Sequence, residues 1–402
     1  MPVQRILAYY YRRVKILFIW HSAADPNNRP LFDAMIRQPG LDLLVLTLPR
    51  IEDRTSLWEL GRPVAGRNTR SRSRYLITPG RAILSGSIGH HVYLDLASKL
   101  RAFQPDLVHL VAESATLVAA EAAMLRPIFS PRSLLVLHPL QNICVDFRWP
   151  WPLIERFVLA RTDAMVAYSP GVARVLRRRR YRGPVFVRPF GADDRDFKKA
   201  GGNRLPSSLT PGLPVVGWVG RMFAGKGLHV LLRASKLMRR PHQLLVVGDG
   251  PRRRQEHALA EELGISDRVH WAGSVAAAGI PACYAAMDVY THPAVSRPPD
   301  MPAWKEQFAR TLVEAMLAGK PVVSTASGEI PWVLGGGGLI VPEKNPQALA
   351  KALDRVLASK RLRARLGGLG RARALAHFTW SRAAEELVNI WKKLLSKVSS
   401  SR

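Results

Sequence analysis

Two glutamates, Glu306 and Glu314, stand eight positions apart in "EQFARTLVEAM" (306–316), the second on a helical pattern. On an uninterrupted helix they would lie ~12 Å apart and ~80° apart around the axis. Carboxylates sharing one scissile glycosidic bond sit closer, roughly 5–9.5 Å, so the pair does not read as a glycosidase dyad. It is spaced to grip the two ends of something about one nucleotide sugar long. Two cations, Arg221 and Lys226, occur in "VGRMFAGKG" (219–227), between an apolar run and a helical pattern. At such a junction amide N–H groups and the helix dipole favour phosphate; the plainer alternative is an exposed basic loop. Gly220, Gly225 and Lys226 also fit G-x4-G-K, but position 227 is Gly where a P-loop needs Ser or Thr to hold Mg²⁺. That argues against a P-loop NTPase. "LLVVGDGPRRRQEHALAEEL" (244–263) adds a strand, a turn beginning at Gly248, and a helix with Pro251 near its first turn.

These residues need a scaffold, and the chain alternates strand and helix signals almost throughout, which argues for parallel α/β layers. "VKILFIW", "LDLLVLT", "DLVHLV", "SLLVLH", "DAMVAY" and "PVFVR" are short apolar runs suited to buried parallel strands. A second series follows: "PVVGWVG", "QLLVVG", "RVHWAG", "DVYTH", "PVVST" and "GLIVP". Helices are expected at about 226–239, 251–263, 309–319 and 345–358. The expected organisation is a first α/β domain over 1–200, a Gly/Ser/Pro-rich linker over 201–213 and a second α/β domain over 214–380. An amphipathic helix over 381–396 packs back on the first domain. Two such units imply a ligand cleft between them, at the carboxyl ends of strands. The basic stretch 62–81, low in apolar residues, reads as a mobile loop.

Composition sets outer limits. The 402 residues suffice for two domains, and 47% hydrophobic with 22% charged residues fits a globular protein. The longest apolar runs fall far short of the ~18 residues of a membrane span. Two cysteines, Cys144 and Cys283, make neither a disulfide framework nor a zinc site, which suits a cytoplasmic setting. Basic residues outnumber acidic ones 60 to 30, a net charge of +30. The excess is shared evenly between the two halves. It favours polyanions such as nucleic acid, acidic lipid or phosphorylated substrates, or reflects an arginine-rich genome.

The ordered set "GRMFAGKG", "VVGDGP", "VHWAG", "EQFARTLVEAMLAGKPVV" and "SGEIPWVLGGGGLIV" resembles the C-terminal half of the family 4 retaining glycosyltransferases. That resemblance implies a GT-B fold: two Rossmann-like α/β domains facing each other across a cleft. It implies a nucleotide diphosphate sugar as donor, with no cofactor and no metal ion. Glu306 then meets the donor sugar and Glu314 the ribose. Backbone N–H groups around Phe308, Ala309 and Arg310 face the diphosphate, with Arg221 and Lys226 opposite and Gly248 nearby. Ala309 stands where the family often has glycine, and still offers its N–H. "DDRD" (193–196) reads as a turn following the interdomain strand rather than a metal site. In the first half, "FQPDLVHLVAESATLVAAEAAML" resembles the family's strand–loop–helix with an acidic residue, which places Glu113 toward the acceptor. "LLVLHPLQNI" resembles the next strand end, with His138 as acceptor-orienting group or base, or Gln141 and Asn142 in its place. His109 reads as structural. The usual glycine-rich loop after the first strand is absent from "FIWHSAADPNNRPLFDAMI", leaving His21, Ser22 and Asn28 as candidate cleft residues.

The resemblance implies a glycosyltransferase with a lipid-linked or polysaccharide acceptor, working in the cytoplasm or peripherally at the inner membrane face. "RVLRRRRYRG" and 62–81 are candidates for contact with anionic lipid. Two alternatives are a nucleic-acid-binding α/β protein, for which the chain lacks any helix-turn-helix, zinc or RNP signature, and a GT-B nucleotide-sugar epimerase.

Overall fold

The computed structural model describes residues 13–53, 56–59, 62–84, 90–198, 209–299 and 301–400. The chain divides into two compact units: Met1–Pro189 with Trp380–Arg402, and Phe190–Thr379. The first unit thus ends at Pro189, before the residue-200 boundary expected from sequence. Most of the expected linker, 201–208, lies outside the described residues.

Unit 1 is built on an eight-stranded sheet. Its strands are β1 (Val14–Ile19), β2 (Leu41–Thr47), β3 (Val64–Asn68), β4 (Ser73–Pro79), β5 (Leu107–Leu110), β6 (Leu134–Leu137), β7 (Ala164–Ala167) and β8 (Val185–Val187). Their spatial order is β8-β7-β6-β5-β1-β2-β4-β3. All neighbours pair in parallel except β3, which runs antiparallel to β4. The segment 62–81 is therefore a β-hairpin on the sheet edge, not the loop expected from its basic composition. Its alternation explains the outcome: Ser73, Tyr75 and Ile77 are buried while Arg74 and Leu76 face outward. Arg74 is also held by Asp42 on β2 through two hydrogen bonds of 2.9 and 2.7 Å.

Helices α1 (Arg29–Met35), α2 (Leu117–Phe129), α3 (Trp151–Arg161) and α4 (Pro170–Arg178) cover the strands. Thr116 caps α2 by accepting from Ala119 N–H, and Ser169 caps α4 through Val172 N–H. The order reverses between β1 and β5, so the segments after β1 and β5 meet at a topological switch point.

Unit 2 has six parallel strands: β9 (Val215–Val219), β10 (Gln243–Val247), β11 (Val269–Gly273), β12 (Val289–His292), β13 (Val322–Thr325) and β14 (Gly338–Val341). The order β11-β10-β9-β12-β13-β14 is that of a doubly wound sheet, with its switch point between β9 and β12. Helices α5 (Leu228–Leu237), α6 (Ile280–Ala285) and α7 (Arg310–Leu317) matter for the site. The core is a continuous cluster including Trp218, Leu231, Val246, Val289 and Leu353.

The last helix, α8 (Trp380–Ser400), belongs to unit 1. Its Trp391 is buried beside Phe18 and His109, and its Glu386 pairs with Arg188 at 3.0 Å.

Candidate active site

In unit 2 the loops after β9, β10 and β12 converge. The first two are laced by backbone hydrogen bonds: Gly220 N–H to Val247 O, Met222 N–H to Asp249 O, and Arg252 N–H to Met222 O. Gly248 sits at φ +125° with Gly220 O against its Cα, so a Cβ there would lie 1.9 Å from that oxygen. Gly227 is equally fixed: it is left-handed, and a Cβ would meet Pro293 O at 1.8 Å. The two loops can approach only as glycine. This is why "GRMFAGKG" and "VVGDGP" act as one surface.

Lys226 extends from this surface to Glu306, with Nζ 2.6 Å from Oε2. Its ammonium also lies 5.5 Å from the centre of Trp304 and 5.9 Å from that of Phe223. Glu306 lies in the loop before α7, so the two glutamates are not on one helix. Its carboxylate is gripped three ways: by Lys226, by His292 Nε2 at 2.9 Å, and by Ala309 N–H on Oε1 at 3.1 Å. Burial alone would raise this carboxyl, but Lys226 first and then His292 outweigh it and hold it well below the ordinary range. The "SGEIP" loop completes the enclosure, with Glu329 N–H on Glu306 O and Gly328 pressed against the same carbonyl.

Ala309 has φ +55° and ψ 73°, a left-handed conformation. The expectation that its N–H is free for a diphosphate is corrected: that hydrogen bond goes to Glu306. Phe308 is buried, with its ring edge-on to Phe378. Arg310 opens α7 and its Nε lies 3.9 Å from Glu314 Oε1.

Glu314, on α7, accepts from the Tyr284 hydroxyl at 3.1 Å. Burial pushes its carboxyl up, opposed by Arg310 and by that hydrogen bond. Tyr284 Oη also lies 2.8 Å from Thr311 O, Tyr290 binds Thr311 Oγ1 at 2.9 Å, and Tyr290 lies 3.5 Å from His292 Nδ1. A buried polar network thus runs beneath α7 from Glu314 to Glu306. Sequence reasoning missed His292, Tyr290 and Tyr284. The available signal was "DVYTH": a histidine closing a buried parallel strand at the switch point is a polar group where ligands bind.

In unit 1 the role expected of His138 is corrected. Trp391 Nε1–H donates to His109 Nδ1 at 3.1 Å, His109 Nε2 lies 3.2 Å from His138 Nδ1, and His138 Nε2 lies 2.9 Å from Arg188 O. Because the indole can only donate and the carbonyl only accept, every proton in this chain is assigned. His138 is buried, both ring nitrogens are engaged, and burial pushes its pKa down to about 3. It is a strut like His109, not a base.

Glu113 follows β5 and accepts from Leu140 and Gln141 N–H on one oxygen, at 2.8 and 2.9 Å. Burial raises its carboxyl from 4.5 to about 7 against those two bonds. Gln141 lines the same cavity as Glu113, while Asn142 does not. Of the residues after β1, Asn28 is spent on Ser22 O at 2.8 Å. His21 is half-buried, and desolvation with the nearby His91 pushes its pKa down to about 4. "DDRD" begins a short helix, Asp194–Lys198, with Asp193 accepting from Arg195 N–H.

Comparison with known proteins identifies the family. The sequence profile described as "Glycosyl transferases group 1" matches residues 205–373. A D-inositol 3-phosphate glycosyltransferase of Stackebrandtia nassauensis is 30% identical over 313 residues, 71% of this chain and 68% of that protein. An MMP alpha-(1->4)-mannosyltransferase of Mycolicibacterium hassiacum is 29% identical over 54% of this chain and 50% of its own. Among solved structures, a sucrose-phosphate synthase of Thermosynechococcus elongatus superposes with a TM-score of 0.72 at 21% identity, covering 96% of this chain and 100% of that one. Anabaena Alr3699/HepE in complex with UDP gives 0.68 at 19%, covering 94% and 100%. The fold is GT-B, and the protein is a glycosyltransferase. The chain belongs to the group 1 glycosyl transferases, the family 4-like branch of that fold. Among the described residues no helix is long and apolar enough to cross a membrane.

Proposed function

We propose that this enzyme moves a sugar from a nucleoside diphosphate sugar to its acceptor with retention of configuration and without a metal ion. The carrying observation is the Lys226–Glu306 pair set before α7, with Glu314 eight residues on. The incoming diphosphate competes for Lys226, and Arg221 and the first amides of α7 face it as well. Charge builds on the diphosphate as the glycosidic bond breaks, and fixed cations and amide dipoles are the efficient stabiliser. Glu306, released from the lysine, takes sugar hydroxyls; Glu314 takes the ribose. HepE was solved with UDP and with UDP-glucose, which favours a uridine donor here.

The acceptor belongs with unit 1, at Glu113 and Gln141, and is of the lipid-linked or polysaccharide class. Exposed Arg178 and Arg180, at and just past the end of α4, supply the basic face for an anionic membrane. Exposed Arg177 adds to that face, whereas Arg179 is paired with Glu155.

A thermal-shift panel of UDP, GDP and ADP with their sugar conjugates, with and without EDTA, tests the reading. A ligand at ~100 times its dissociation constant stabilises the folded state by about 2.7 kcal/mol. One nucleotide should raise the melting temperature regardless of EDTA, and the shift should vanish in Lys226→Ala and Glu314→Ala. A shift abolished by EDTA would overturn metal independence.

A further inference from the structure

Unit 1 contains two cavities that share Glu113 and Thr116 as a common wall. The larger, about 320 Å³, is walled by apolar groups, among them Ile143, Phe147, Trp151, Val175 and Leu176. That is the size and lining of a small-molecule site. Its charged groups are two carboxylates and one guanidinium: Glu113, Glu155 and Arg179.

The guanidinium is spent. Arg179 Nη1 binds Glu155 Oε2 at 3.0 Å, Nη2 donates to Val145 O, and the group lies 4.8 Å from the centre of the Phe147 ring. Glu155 takes the Ser114 hydroxyl on its other oxygen at 2.9 Å. Glu113 differs. Both amide bonds fall on Oε1, and the described residues offer Oε2 no hydrogen-bond donor. Among the described residues the cavity therefore presents an acceptor oxygen, apolar walls and, apart from the His90 imidazole, no basic group but the engaged Arg179.

We propose that this cavity binds the apolar body of an uncharged, hydroxyl-bearing acceptor, an amphiphile of the alkyl or aryl glycoside class, with one hydroxyl donating to Glu113. Arg179 is held by Glu155, so its guanidinium is not free for an acceptor phosphate, while the aromatic faces of Trp151 and Phe147 suit a ring or chain. Two exposed apolar side chains of the same segment, Trp149 and Leu153, extend the apolar character outward. The inference rests on the reading that unit 1 holds the acceptor.

The experiment is a calorimetric titration of the full chain with octyl β-D-glucoside below its critical micelle concentration, beside glucose and glucose 6-phosphate. Octyl glucoside should bind at least about tenfold more tightly than either, a difference of ~1.4 kcal/mol. Val175→Trp, which fills the cavity, should abolish that preference while keeping the parent's melting temperature. Should Val175→Trp misfold, Glu113→Gln is the second variant. Its oxygen still accepts the two amides, but its NH2 cannot accept a hydroxyl, so octyl glucoside should weaken several-fold. Glucose 6-phosphate binding as tightly as octyl glucoside would overturn the proposal, as would parental octyl glucoside affinity in both variants. The UDP melting shift in the same samples reports the donor reading separately, so its loss would count against that reading and not against the cavity.

Discussion

His292 Nε2 lies 2.9 Å from Glu306 Oε2, with the imidazole wholly buried at the carboxyl end of β12. Burial lowers its pKa despite the carboxylate beside it, so the ring is neutral. A carboxylate only accepts, so Nε2 carries the proton and Nδ1 faces the Tyr290 hydroxyl. His292 thus positions Glu306 without needing to reach a substrate. His292→Phe removes a hydrogen bond to a charged group, worth about 1.5–3 kcal/mol. Turnover should fall roughly 10- to 100-fold, while His292→Gln, which retains a donor, recovers part of it. Steady-state kinetics on both variants decide the point; an unchanged kcat in His292→Phe would show that Lys226 and Ala309 suffice.

Lys226 and Glu306 should be coupled in stability as well as in binding. Removing the lysine leaves a buried carboxylate with its hydrogen bonds but no counter-charge. Breaking a buried pair from one side costs about 3–5 kcal/mol, and the partly exposed Lys226 places this case at the lower end. Lys226→Ala should therefore lose both donor binding and several degrees of melting temperature. Adding Glu306→Gln should restore much of the stability and none of the activity. Urea unfolding of the two single variants and the double gives the cycle; additive losses would mean the pair is not coupled.

The Trp391–His109–His138–Arg188 chain predicts an acid-sensitive first unit. Burial lowers both histidines, so the folded chain keeps them neutral. The unfolded chain protonates each below about pH 6.5. Their contribution is therefore complete above that pH and declines as pH falls toward the folded value of about 3 for His138. Glu113 acts in the opposite sense between 4.5 and about 7, because its raised carboxyl favours the folded state as it takes up a proton. Trp391→Phe, which strands His109 Nδ1, should cost about 1–3 kcal/mol and leave the UDP shift intact. Melting curves from pH 4 to 8 on parent and variant test both statements. A selective loss of turnover at full folding would return an imidazole to the chemistry.

Much of this is legible in the sequence. Two alternating α/β series and the glycine-bearing segments report backbone periodicity and close approach, which are local properties of sequence. What escaped was set by partners remote in the chain. His138 looked like a cleft residue because it ends a strand, yet Trp391, 253 positions later, makes it a strut. The hairpin over 62–81 was hidden by its arginines, whose role depends on Asp42 and on which face the sheet buries. His292 closes the strand pattern "DVYTH", and nothing within that pattern reveals that Glu306 comes to meet it.

Ala309 offers the most direct test of the loop that carries Glu306. An L residue in the left-handed region costs roughly 1–2 kcal/mol relative to glycine, and Ala309 is held there at φ +55°. Its N–H binds Glu306 Oε1, so the strained conformation is what aims the carboxylate back toward Lys226. Glycine relieves the strain but adds freedom to the unfolded chain, a penalty of about 0.4–1 kcal/mol. Ala309→Gly should thus stabilise unit 2 by up to about 1 kcal/mol, with the amide bond kept and donor affinity unchanged. Ala309→Val should do the reverse, since a β-branched side chain tolerates positive φ worst, and by displacing Glu306 it should lower kcat more than it raises KM. Melting temperature and kinetics measured together on the two variants separate backbone strain from lost chemistry. Equal stability in all three proteins would mean the loop relaxes away from the left-handed geometry when glycine does not enforce it.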